Sequence, residues 1–180
     1  MAVTVVVIAA ALGFRPDLDF AMAGTMFWIK LAYTASLALI SIAVLRTMFR
    51  PEAGAPRRLW FLTVSVALLG PVSAHELTQM PRDDWVAMWF GHSWRICSSL
   101  IALFAVPIGG ALVVIVRQFA PTRLHAAWAV IGLASGAASA MLYSLHCPET
   151  GAHFVPTWYS LGIAAATAIG AALGPRLLRW

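Results

Sequence analysis

Apolar runs of membrane-span length leave this chain few choices of fold. Five of them, at about 27–49, 59–77, 95–117, 124–145 and 155–174, follow one another with only short connectors between. Each is close to the roughly 20 residues that a helix needs to cross a hydrocarbon core. In lipid a backbone must satisfy its own polar groups, and a helix does so within one segment. A sixth run, 1–14, is apolar but short: Met1–Gly13 would rise only about 20 Å against a core of about 30 Å. It has neither the basic start nor the cleavage site of a signal peptide. The expectation is an all-α polytopic integral membrane protein, a six-transmembrane-helix bundle whose first helix is truncated, forming a single domain over 1–180.

Composition agrees. Hydrophobic residues make up 61% of the chain and charged residues 11%, with a mean hydropathy of +0.83, where a soluble domain carries charge on about a quarter of its positions. The connectors are too short to hold a water-soluble core. The formal net charge of +5 does not mark a nucleic-acid surface, because the basic residues are scattered at helix ends rather than gathered on one face. The lipid bilayer is the expected environment, with no direct nucleic-acid contact.

Helix breakers and charges fall between the runs. Arg15-Pro16-Asp17 ends the first, and Arg50 to Arg58, with two prolines and a glycine, turns the chain after the second. His75 to Trp94 reads as a polar connector whose tryptophans suit a membrane interface. Pro107 predicts a kink in the fourth run, and Gly132 and Gly136 have the spacing that lets a neighbouring helix approach. Arg46, Arg50, Arg57, Arg58, Arg117, Arg123, Arg176 and Arg179 share one side with Glu52. Arg15, Lys30, Arg82 and Arg95 share the other with six acids. The positive-inside rule puts the first side in the cytoplasm and the second in the periplasm of a bacterial inner membrane.

That topology gathers the chemistry on one side. Both cysteines of the chain, Cys97 in the first turn of the fourth run and Cys147 in the stretch His146 to Phe154, fall outside, with four of the five histidines. Three readings stay open. The thiols are inert or form a static disulfide, they form a reversible one, or they bind a metal. A disulfide closing about 50 residues would contribute about 4 kcal/mol in a soluble chain, and less where membrane helices already restrain the unfolded state. For a reversible pair, the helix start and nearby Arg95 favour a Cys97 thiolate, with Cys147 as resolving partner. For a metal, His92, His146, His153, Cys97 and Cys147 are the candidate ligands of a soft divalent ion. No cofactor is otherwise indicated, since Cys-x-x-Cys, His-Glu-x-x-His and paired haem histidines are all missing from the sequence.

Leu145-His146-Cys147-Pro148-Glu149, with Phe154 and Trp158-Tyr159, resembles the NrsF family of membrane anti-sigma factors. Arg15-Pro16-Asp17-Leu18, Phe27-Trp28-Ile29-Lys30-Leu31 and the Arg50-Pro51 turn extend the likeness over nearly the whole chain. The resemblance implies six inner-membrane helices and no enzymatic activity. It implies an extracytoplasmic-function sigma factor as partner, released when two periplasm-facing cysteines, by position Cys97 and Cys147, sense oxidative or heavy-metal stress. The family's usual cytosolic segment before the first helix is not seen here. Arg50, Arg57, Arg58, Arg117 and Arg123 are the remaining candidates for partner contact. The rival expectations are a membrane thiol oxidoreductase and a metal-binding or transport protein using the same Cys/His cluster. Only one cysteine pair is available to the first, and the spans lack a polar path for the second.

Overall fold

The computed structural model describes residues 18–48, 60–116, 124–149 and 151–177, which are helical almost throughout and contain no strand. In chain order the helices are α1 (Leu18–Ala23), α2 (Thr25–Met48), α3 (Trp60–Thr78), α4 (Trp85–Phe90), α5 (Trp94–Val116), α6 (Leu124–Tyr143) and α7 (Ser160–Leu177). A 3-10 turn, Arg82–Asp84, precedes α4, and a wide π-turn, Val155–Tyr159, leads into α7. Among the described residues five segments, built on α2, α3, α5, α6 and α7, are long and apolar enough to cross a membrane. The stretch 1–14 lies outside the described residues.

The expected connector between the third and fourth long helices is partly helical. α3 continues through His75 and Glu76 to Thr78, and Trp85–Phe90 forms α4. Asp83 and Asp84 stand at the start of that short helix, where carboxylates favour exposed backbone N–H groups. α5 runs unbroken through Pro107, and α3 through Pro71.

α6 is the hub, packed against α2, α5 and α7. Of its apolar window 67% is buried, against 6% for α3 at the edge of the bundle. Small residues allow the closest approach, between α6 and α7. A Cβ on Gly132 would run into the Ala166 carbonyl, and one on Gly136 would lie 3.1 Å from Ile163 Cα. The Gly132/Gly136 spacing therefore serves packing within the chain. Serines stitch the helices: Ser139 donates to the Ile101 carbonyl at 2.8 Å, joining α6 to α5, and Tyr33 of α2 shares a 2.6 Å hydrogen bond with Ser160 of α7.

Two apolar clusters lie at opposite ends of the bundle. One surrounds Val44, Leu45, Val116, Val130 and Ile131. The larger includes Tyr33, Ile101, Tyr143, Phe154 and Tyr159 and takes in both cysteines. Outside the clusters Leu103, Val106, Val114 and Ile115 of α5 and Leu68 of α3 are exposed. Such a girdle is unfavourable against water and costs nothing against hydrocarbon.

Candidate functional site

The site forms where α6 ends. Tyr143 closes the helix, and the backbone N–H groups of His146 and Cys147 both bond to its carbonyl, at 3.0 and 2.9 Å. Pro148, with no N–H to continue the helix, follows directly. This turn folds Cys147 back onto the bundle, where it is fully buried. Cys97 enters from α5, whose first turn is closed by its N–H bonding to the Ser93 carbonyl at 2.9 Å, and it too is fully buried. The two side chains, 50 positions apart in sequence, are hydrogen-bonded neighbours, both as free thiols. Ser93 Oγ stands 4.0 Å from the Cys147 sulfur.

A lysine holds this loop from the other side. Lys30, in the second turn of α2, is only 3% exposed, and its ammonium donates to the carbonyls of Cys147 and Glu149, each at 3.1 Å. It also lies 5.9 Å from the centre of the Tyr159 ring, within range of the negative ring face. Burial of a cation is costly unless it is paired or hydrogen-bonded, and these groups offset part of that cost. Tyr159 itself is fully buried, and its hydroxyl has no oxygen or nitrogen partner and sits beside the Cys147 sulfur. The Cys147 thiol is pulled down to about 6, foremost by the hydrogen bond from Cys97. The Lys30 charge, Tyr159 and the Glu149 backbone add to this, while burial opposes it.

Glu149 ties the same loop to the start of α5. Its Oε1 accepts the backbone N–H groups of His92 and Ser93 at 2.8 and 3.2 Å, and the Ser93 hydroxyl at 3.2 Å. A carboxylate at a helix amino terminus satisfies orphan donors and meets the positive end of the helix dipole. Gly91 makes room for it. With φ at 55° it adopts a left-handed conformation, and a Cβ there would come within 2.9 Å of the second carboxylate oxygen.

The rest of the stretch serves a different contact. His153 is buried, with Nδ1 2.9 Å from Glu76 Oε2 of α3, and the same oxygen accepts the Ala152 N–H at 2.6 Å. Ser73 donates to the Ala152 carbonyl at 2.8 Å, so the otherwise exposed α3 is pinned at this end. His153 Nε2 has no hydrogen-bond partner.

The structure thus brings together Cys97 and Cys147 and separates the other candidate ligands. His92 is exposed and enters the network through its backbone, His146 lies against the Tyr143 ring at 6.0 Å, and His153 is engaged by Glu76. Among the described residues no three His, Cys, Asp or Glu side chains converge as a metal group. Two sulfurs alone do not make a closed tetrahedral site. Arg95, expected to act on Cys97, is exposed and stacks on Trp94 at 5.0 Å, and the cation buried beside the thiols is Lys30. Arg50, Arg57, Arg58, Arg117 and Arg123 lie outside the described residues. Sequence reading missed Lys30, Tyr159 and Glu76 as parts of the site. The one available signal was a lysine three residues into the apolar run that begins at about 27.

The family described as negative regulator of sigma F, NrsF, matches residues 1–180. The chain is 35% identical over 174 residues to a "Probable anti-sigma-F factor NrsF" of Azospira oryzae, covering 95% of this chain and 80% of that protein. It is 38% identical over 170 residues to the "Anti-sigma-F factor NrsF" of Caulobacter vibrioides, covering 92% of this chain and 78% of that protein. No solved structure matches. The match over the full length, together with the helical bundle around the His-Cys-Pro-Glu loop, shows that this chain belongs to the NrsF family of negative regulators of sigma F.

Proposed function

We propose that this chain is a non-enzymatic, membrane-embedded anti-sigma factor. It holds an extracytoplasmic-function sigma factor at the cytoplasmic face of the inner membrane and releases it when Cys97 and Cys147 are oxidised. Three things support the reading: the names of its relatives, the excess of basic residues on the side away from the cysteines, and above all the contact between two fully buried thiols from separate elements. Oxidation removes two protons and two electrons from the pair as the sulfur–sulfur bond forms. A two-electron oxidant such as hydrogen peroxide takes them up and leaves as two waters. A thiophilic metal ion bridging the two sulfurs is the corresponding heavy-metal signal.

A covalent bond shortens the contact between the start of α5 and the loop after α6, in a network that also holds Lys30 of α2 and Glu149. Because α6 packs on α2, α5 and α7, a shift at one end passes along packed helices to the other as a choice between two arrangements. Arg50, Arg57, Arg58, Arg117 and Arg123 are the proposed contacts for the sigma factor. The test is a reporter for sigma-dependent transcription in cells carrying Cys97→Ser, Cys147→Ser or both. Wild type is expected to respond to peroxide and the double variant to stay repressed. A double variant that responds like wild type overturns the reading.

A further inference from the structure

The geometry points to a binding site for one phospholipid acyl chain between α5 and α7, in the half of the bundle away from the cysteines. Near the cysteines these two helices touch. A Cβ on Gly162 of α7 would lie 2.9 Å from Ile101 Cβ, and the Ser98 hydroxyl of α5 donates to the Trp158 carbonyl at 2.8 Å. Further along they part around a cavity of about 350 Å³, within the range of small-molecule pockets, about 300–1,000 Å³. Its floor is α6, through the buried residues Trp128, Ile131, Gly132 and Ser135, and α7 adds Ala166 and Gly170. The site goes beyond the thiol switch and does not depend on it.

The lining decides the occupant. The Ser135 hydroxyl is spent on the Gly132 carbonyl at 3.1 Å, which leaves the Trp128 indole N–H as the other polar side-chain group among the described lining residues. Each ordered water needs about 2–4 polar partners, so this lining is a poor host for water. Left empty, the space would deprive its walls of dispersion contacts. Its mouth opens onto hydrocarbon. Val106, Val114, Ile169 and Leu173 line the cavity and are also exposed, continuous with the lipid-facing girdle of Leu103 and Ile115. Val106, Gly110 and Val114 follow at intervals of four and so share one stripe of α5. Gly110 leaves a gap between the two valines, since a Cβ there meets nothing within 4 Å. A flexible alkyl chain passes such a gap. A helix of a second copy fits less well, because close approach in lipid needs small residues at the contact surface, and here they lie on the floor behind branched rims.

The test maps where lipid chains touch the protein. The full chain is reconstituted in nanodiscs of phosphatidylethanolamine and phosphatidylglycerol, doped with a phosphatidylethanolamine that carries a diazirine midway along one acyl chain. Irradiation expels dinitrogen, the carbene inserts into the residues that the acyl chain touches, and mass spectrometry locates the adducts. Wild type is expected to carry adducts on the buried α6 residues Trp128, Ile131 and Ser135 as well as on the exposed Leu103 and Ile115. Gly110→Phe places a ring in the gap, so the α6 adducts should be lost while those at Leu103 remain. Val114→Ala widens the gap and should increase the α6 adducts alone. Adducts confined to the exposed girdle in wild type overturn the site, and so do α6 adducts that persist in Gly110→Phe. If α6 adducts form in nanodiscs holding one protein copy and vanish in those holding two, a second copy fills the cavity and the lipid site is overturned. Should Gly110→Phe not fold, wild type and Val114→Ala decide: α6 adducts that rise in the variant agree, and α6 and Leu103 adducts that change together overturn.

Discussion

The Glu149 carboxylate accepts the backbone N–H of His92 at 2.8 Å across 57 positions of sequence. The loop that carries Cys147 therefore caps the helix that carries Cys97. The two thiols are held in register by a contact that involves neither sulfur.

Glu149→Ala removes this cap. The expected cost is about 1–2 kcal/mol, as for other lost helix caps. Glu149→Gln, which keeps an acceptor oxygen, should lose less. Thermal unfolding of the purified variants in detergent orders the three proteins, and equal melting temperatures would show that the cap does not stabilise the fold.

At the edge of the bundle, Glu76→Ala leaves the Ala152 N–H and the buried His153 ring without their shared acceptor. An unsatisfied buried donor costs about 1–3 kcal/mol. Because α3 is otherwise little buried, the loss should appear as faster amide exchange at the Thr78 end of α3 and in 151–154, with α6 unchanged. Uniform exchange along α3 would contradict the pinning.

Close packing gives a contrast between two glycines. A side chain on Gly132 would collide with the Ala166 carbonyl, whereas one on Gly110 of α5 meets nothing within 4 Å. Gly132→Val should lower the yield of folded protein sharply, by the several kcal/mol that overpacking against backbone costs. Gly110→Ala should be neutral or gain up to about 1 kcal/mol from helix propensity. Size-exclusion profiles of membrane extracts report both.

Stability should also depend on pH through Cys147. Its thiol is lowered from an ordinary 9.0 to about 6, first by the Cys97 hydrogen bond and then by Lys30 and Tyr159. Between those values the unfolded chain binds more protons than the folded one, so stability rises with pH across the window and is lost as pH falls through about 6. Melting temperatures measured across that range should climb in wild type and flatten in Cys147→Ser. A slope that persists in the variant would assign the effect to another group.

The long helices are legible because an apolar run of span length has one way to satisfy its backbone in lipid. The presence of both cysteines at one end of the bundle is legible too, since Cys97 begins one helix and Cys147 follows another. The partners were not. Lys30 reads as a topology charge and His153 as a metal ligand. What each does is decided by groups 117 and 77 positions away, the Cys147 carbonyl and the Glu76 carboxylate. Arg95 is the converse case: two positions before Cys97 in sequence, yet turned onto Trp94. Helical periodicity carries no record of such cross-bundle choices, least of all in a loop such as 144–149.

The most direct test follows the thiols and the sigma factor together in membrane vesicles titrated with hydrogen peroxide. Disulfide-linked peptides are quantified by mass spectrometry and the retained sigma factor by immunoblot. The expected result is a Cys97–Cys147 disulfide that rises over the same dose range in which the sigma factor is lost from the membrane. Release of the sigma factor while both cysteines remain reduced would contradict the thiol switch.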